Sequence, residues 1–334
     1  LFRSKNSIIR KIANLEFLVF KDATVHTALI FLRKSTNINN NIKVASIADS
    51  SALIEASFYL VSQGSWLDSD GYMFETRQSS PQGILAKKIT DNCPHLTTIA
   101  KASLGCQAYN SSKHTKQQIK DRIFHSTKKE GTEYLPELAG KDVGRYVIER
   151  KRGQWIKYGP WLHDYRTIDW LSGPRILIRE ISGNMPYRIQ ACYVEETYCN
   201  YKTILNVNPC DQTTVSMKYL TGVLNSSLIS FVYPFIAYKI LSKSFPRISV
   251  GDLRRFPIRP IDFSNKKDRA RHERMVELVT AMLELHKRQD AARTDDEKKR
   301  LARQIDATDT QIDRLVYELY DLTEDEIKIV EGEN

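Results

Sequence analysis

The opening residues alternate in a short period. Ile12–Phe20 and Val25–Arg33 are β-rich runs joined by Lys21-Asp22-Ala23-Thr24, a pattern that predicts a hairpin or two neighbouring strands. Two strands do not make a stable domain. The opening therefore reads as the last strands of a domain whose main part is missing from this truncated chain. Ser35–Asn41 (STNINNN) is a polar linker and marks a boundary. Beyond it, Gln82–Asp91 and His95–Ala102 are expected as short helices. Val143–Glu149, Gln154–Tyr158, Arg175–Ile181, Tyr187–Val194 and Lys202–Val207 are expected as strands between Gly, Pro and Asn punctuation. Tyr219–Tyr233 is apolar and helical in character, and Pro246, Pro257 and Pro260 break the chain into an extended exit.

The period then lengthens. Leu301, Ile305, Thr308, Ile312, Leu315 and Leu319 recur at alternating steps of four and three, and Met275, Leu278, Met282 and Leu285 form a second seam. Thr294 precedes three acidic residues, the composition of a helix start. Lys267–Ala292 and Thr294–Leu322 are thus expected as antiparallel helices, either a docking arm or a flap packed on the core. The predicted class is α+β: 1–34 as terminal strands, 35–263 as a twisted, mostly antiparallel sheet domain with short helices, and 264–334 as an antiparallel two-helix hairpin.

Composition narrows the function. No apolar run approaches the roughly 20 residues of a membrane span, so no membrane partner and a cytoplasmic location are expected. The five cysteines contain no C-x-x-C pair, which argues against a disulfide framework and a structural zinc site. Residues 1–263 hold 36 Lys and Arg against 22 Asp and Glu, whereas 264–334 hold 14 against 18. A basic body with an acidic tail points to a polyanion partner, the alternative being basicity with no bearing on nucleic acid.

Catalytic patterns are weak. Asp142, Glu149 and Lys151 have a nuclease-like spacing that also suits a solvated strand end. Asn208-Pro209-Cys210-Asp211 lacks the second proline and the aromatic of an amino-methyltransferase loop. Cys93-Pro94-His95 has no second ligand pair, and no glycine-rich phosphate loop occurs. By elimination the fragment is expected to be non-catalytic, with no catalytic, cofactor or metal residue of its own. What remains is basic and aromatic: 140–146, the stretch from Trp155 to Arg166, Arg175, Arg179 and Arg188, then Lys239, Lys243, Arg247, Arg254 and Arg255. Such residues neutralise phosphates and read base edges; the alternative is core aromatics with locally paired arginines.

Four ordered motifs carry a resemblance. Gly140-Lys141-Asp142-Val143-Gly144-Arg145-Tyr146, Pro174-Arg175-Ile176-Leu177-Ile178-Arg179-Glu180 and Leu220-Thr221-Gly222-Val223-Leu224-Asn225-Ser226 come first. The fourth is Phe245-Pro246-Arg247-Ile248 followed by Leu253 and Phe256-Pro257-Ile258. Together they resemble the TaqI-like C-terminal specificity (target recognition) domain of adenine-N6 DNA methyltransferases and type IIG restriction enzymes. Phe20-Lys21-Asp22-Ala23-Thr24-Val25 is similar to a passage near the end of the methyltransferase domain. The resemblance implies sequence-specific binding of double-stranded DNA, with Lys141, Arg145, Tyr146, Lys157, Tyr158, Arg166 and Arg188 clamping and reading it. It also implies an upstream methyltransferase domain using S-adenosylmethionine, with a nuclease domain as an optional further partner. The family's cofactor and N-P-P-[YF] loops have no counterpart in this sequence. A scaffold that recruits a partner subunit through the helical hairpin is the alternative from another class.

Overall fold

The computed structural model describes residues 7–15, 17, 19–20, 27–35, 40–47, 49–53, 56–64, 80–237 and 246–332. The chain divides into two units, Leu1–Lys88 and Ile89–Asn334. In the first, β1 (Ser7–Leu15) pairs antiparallel with β2 (Thr27–Lys34), as the opening pattern predicts. The expected Lys21–Thr24 connection, and the 20–25 motif beyond Phe20, lie outside the described residues. β3 (Asn41–Ile47) pairs parallel with β1, and β4 (Tyr59–Ser62) closes the order β2-β1-β3-β4. The sheet therefore continues past the Ser35–Asn41 linker, and the division falls at Lys88 rather than at residue 34. One side is a core of Ile9, Ile12, Ile42, Val44 and Val61. β2 is different, because Leu29, Ile30, Phe31 and Leu32 are all exposed although they alternate between its faces. The helix α1 (Pro81–Asn92) matches the expected Gln82–Asp91 element.

The second unit opens with a correction. His95–Ala102 is not a helix but a short 3-10 turn, Leu96–Thr98, leading into β5 (Ala100–Leu104). The strand adds to an antiparallel sheet in the order β12-β11-β14-β5, whose two central strands, β11 and β14, are buried but for their last residues. Its other members are β11 (Arg175–Arg179), β12 (Ala191–Val194) and β14 (Ile204–Pro209). Helix α2 (Lys116–Lys120), held by a Thr115/Gln118 capping box, precedes β6 (His125–Ser126) and β7 (Tyr134–Leu138). These strands join β10 (Trp155–Lys157) and β13 (Cys199–Asn200) in a second sheet, β13-β7-β10-β6. The run predicted as one strand, 143–149, is instead a small hairpin of β8 (Val143–Gly144) and β9 (Val147–Ile148). It turns at Arg145-Tyr146, where Tyr146 takes φ 59°.

The predicted helix 219–233 is two helices, α3 (Met217–Asn225) and α4 (Ser227–Ile236), broken at Ser226. Ser226 leaves the helical region, and its hydroxyl accepts from Ile229 N at 3.3 Å to start α4. The two helices bend by 73° and are buried; among the described residues no single helix is long and apolar enough to cross a membrane. Gly222 explains why α3 fits where it does. A Cβ there would collide with the Met275 side chain and reach 3.0 Å from Val279, both on α6 (Lys266–Ala291). α5 (Val250–Arg254) lies between α4 and α6. The long helices α6 and α7 (Asp295–Leu319) pack on each other along the predicted seams, with Thr294 capping α7. Because α3 packs on α6, the pair is a flap on the sheet domain, not a free arm. A last helix, α8 (Glu324–Glu331), ends at Gly332 in the left-handed region.

Candidate nucleic-acid interface

The β8–β9 hairpin has one end in the core and the other at the surface. At its tip, Arg145 donates two hydrogen bonds to the Asp309 carboxylate on α7, at 2.8 and 2.7 Å. It donates a third, at 3.2 Å, to the Asn225 carbonyl at the end of α3. Its guanidinium lies 3.6 Å from the Tyr187 ring centroid, and the Tyr187 hydroxyl donates to Asp313, one turn beyond Asp309, at 2.9 Å. Asp313 also accepts from Ser227 N. Burial pushes the Asp313 carboxyl above the ordinary carboxylate range, and the hydrogen bonds from Ser227 and Tyr187 only partly oppose it. Tyr146, 1% exposed, packs beside His286. Arg145 and Tyr146 were expected on a DNA-facing surface; they lie inside the domain.

The base of the hairpin is open. Ala139, Gly140, Lys141, Asp142, Lys151, Arg152, Arg179, Ile181 and Thr203 line a groove of about 790 Å³. Lys141 stands before β8; Lys151 and Arg152 follow β9; Arg179 ends β11. Four cations thus converge from three stretches of chain. The one acid in the lining, Asp142, is turned inward and accepts from Ala139 N at 2.7 Å. Lys151 forms an exposed pair with Glu149 at 2.6 Å; among the described residues Lys141, Arg152 and Arg179 make no ion pair. The nuclease-like trio therefore does not assemble: Asp142 caps a turn and Glu149 holds Lys151. Among the described residues no group of three His, Cys, Asp or Glu could hold a metal ion.

Of the remaining expected residues, Lys157 ends β10, Tyr158 and Arg166 follow it, and Arg188 lies between β11 and β12. Lys157 pairs with Glu133 at 3.7 Å and stands 5.3 Å above the exposed Trp161 ring. The Tyr158 hydroxyl donates to the Arg166 carbonyl, and Arg166 pairs with Asp164 at 2.8 Å while donating to the Leu104 carbonyl. Arg188, half-buried, is anchored through its backbone N–H to Ser230 at 2.9 Å. None of these four lines the groove; of the seven expected residues only Lys141 does. Arg175 is fully buried and donates to the carbonyls of Gly173 and Glu196; burial depresses its pKa to about 10. Of the second basic stretch, Lys239 and Lys243 lie outside the described residues. Arg247 lies 3.6 Å from Glu180, Arg254 donates to the Ala102 carbonyl, and Arg255 pairs with Asp252. Sequence reasoning missed Lys151, Arg152 and Arg179 as partners of Lys141. Their convergence depends on the hairpin, whose two ends a linear reading does not bring together.

The second unit is thus a sheet domain with a cationic groove whose single acid is turned inward, and its helical pair packs on α3. Residues 135–258, which contain every groove residue, match the family model of the TaqI-like C-terminal specificity domain. A curated relative from Methanocaldococcus jannaschii, described as a putative type II restriction enzyme and methyltransferase, is 28% identical over 182 residues. That match covers 52% of this chain and 14% of the relative. Among solved structures, the type IIL restriction-modification enzyme MmeI in complex with DNA superposes with a TM-score of 0.57 at 10% identity. It covers 98% of this chain and 45% of that one, and at this identity the likeness concerns the fold. The chain thus spans less than half the length of either protein.

Proposed function

We propose that this chain is the sequence-specific DNA recognition module of a restriction-modification adenine-N6 DNA methyltransferase, positioning its target for a catalytic domain carried elsewhere in the whole protein. The observation that carries this reading is the cationic groove inside the specificity-domain match. Backbone phosphates would lie against Lys141, Lys151, Arg152 and Arg179, which fixes register without conveying sequence. Lys157, Arg166 and Arg188, outside the groove, are candidates for further phosphate or base contacts, and Tyr158 holds the Arg166 backbone. Arg145 and Tyr146 support the surface from below.

The strands of 1–34, together with β3 and β4 of the same sheet, are assigned to the end of the catalytic domain. The support is β2: its Leu29–Leu32 run is 39–53% exposed on both faces, a pattern suited to a strand covered by further layers of a larger sheet. S-adenosylmethionine would belong to that catalytic domain, where it supplies the methyl group. A nuclease domain and a cytoplasmic location belong to the same reading. The scaffold alternative is disfavoured, because the helical pair that would recruit a partner is packed on α3. Selection of bound duplexes from a randomised pool tests the proposal. Recovery of one short consensus supports it, and recovery of an unbiased pool would overturn it.

A further inference from the structure

The groove and the buried Arg145–Asp309 pair are two ends of one element. Between them run only β8 and β9, held by the Val143–Ile148 and Gly144–Val147 pairings and by the Glu149 N–H donating to the Asp142 carbonyl at 2.8 Å. From Arg145 back to Lys141 the chain covers four residues, roughly 13 Å if extended. At the base, Val143 and Ile148 pack into the core formed with Leu177, Cys192 and Val194, and the Asp142 carboxylate accepts from Ala139 N, while the cationic side chains of Lys141, Lys151 and Arg152 are exposed. The tip of the hairpin is fixed by three hydrogen bonds from Arg145 and by the Tyr187 ring. The tip is thus tied to α7 through Asp309, to β12 through the Tyr146 N–H donating to the Ala191 carbonyl at 2.8 Å, and to the α3–α4 junction, where the Asn225 side chain also bonds both backbone groups of Ala191.

We infer that Asp309 is a positioning residue for DNA binding: through Arg145 it holds the β8–β9 hairpin so that Lys141, Lys151 and Arg152 face the same groove as Arg179. The C-terminal helical pair then belongs to the DNA-gripping machinery without touching DNA, and any partner that shifts α7 changes the grip. The inference rests on the DNA reading above.

The test is a double-mutant cycle in duplex affinity on the full chain, by fluorescence anisotropy, at a temperature where circular dichroism shows each variant folded. Asp309→Asn keeps the shape of the side chain and removes its charge. It is expected to weaken binding about tenfold, within the usual range of coupling between separate sites. In a Lys141→Ala/Lys151→Ala/Arg152→Ala background the same change should cost about twofold or less, because the cations it positions are gone. A merely structural Asp309 would lower the melting temperature and leave the affinity of the folded protein unchanged. Unchanged affinity, or full additivity in the cycle, would overturn the inference. If Asp309→Asn does not fold, Arg145→Lys takes its place in the same cycle, since it keeps one charge beside Asp309. A wild-type chain that binds no duplex removes the DNA reading itself, whereas wild-type binding with an unaffected variant removes only this inference.

Discussion

Replacing Arg145 by alanine separates a buried strut from a surface clamp. The arginine side chain is 15% exposed and Asp309 8%, so the pair is largely withdrawn from solvent. Removing one partner leaves the Asp309 carboxylate buried, one turn from Asp313, with no cation to offset it. Breaking such a pair from one side costs about 3–5 kcal/mol, and here the stack on Tyr187 and the bond to the Asn225 carbonyl are lost as well. For a unit the size of 89–334 this corresponds to a fall in melting temperature of roughly 6–20 °C, measurable by differential scanning calorimetry without DNA. Arg145→Met combined with Asp309→Leu removes both charges and should be less damaging than Arg145→Ala, since neither charge is left buried and unpaired. An Arg145→Ala protein that melts within a degree of wild type would refute the strut assignment.

Three other perturbations have definite signs. Asp313 holds its proton more tightly in the native state than in the unfolded chain because of burial. Its contribution is therefore full below the ordinary carboxylate range and is lost as pH rises through the native value; Asp313→Asn should gain thermal stability over wild type at pH 8, with the gain shrinking toward pH 4. His272 has the opposite sense: burial lowers its pKa, and its ring accepts from Ser216 N at 3.1 Å, which requires neutral imidazole. Acidification below its ordinary value of 6.5 should destabilise the wild type, and His272→Gln should show a shallower decline in melting temperature between pH 7 and 5. Gly105→Ala would drive a Cβ into the backbone carbonyls of Asn200 and Tyr201, so a fall in stability of about 2 kcal/mol or more in urea unfolding is expected.

Much of the fold was legible because its signals are local. The 4-3 seams give α6 and α7, the Thr294 cap gives the start of α7, and β-branched runs give β10, β11 and β14. His95–Ala102 misled because its residues suit a short helix, whereas pairing of Ala100–Leu104 with β14 decides for strand. The site was harder, for a physical reason visible in the motifs. Asp142 caps a turn, Arg145 and Tyr146 lock a hairpin tip, and Arg175 is core. Gly222 admits α6, Asn225 bonds β12, and Glu180 receives the exit at Arg247 and Ile248. The motif residues that carry the resemblance are joints of the scaffold. The exposed cations that would meet DNA stand beside them, and Lys151, Arg152 and Arg179 carry no periodic or spacing signal that links them to Lys141. Asp309 and Asp313 were equally hidden: on a helix they read as solvated acids until the fold places Arg145 and Tyr187 against them.

The central claim is that the basic groove grips the backbone of a double helix, and a salt titration of duplex affinity tests it most directly. If the four groove cations displace counterions, the logarithm of the association constant should fall with the logarithm of salt concentration with a slope of about −3.6 or steeper. Binding that is independent of salt, or no binding at about 50 mM salt where such contacts are strongest, would contradict the account.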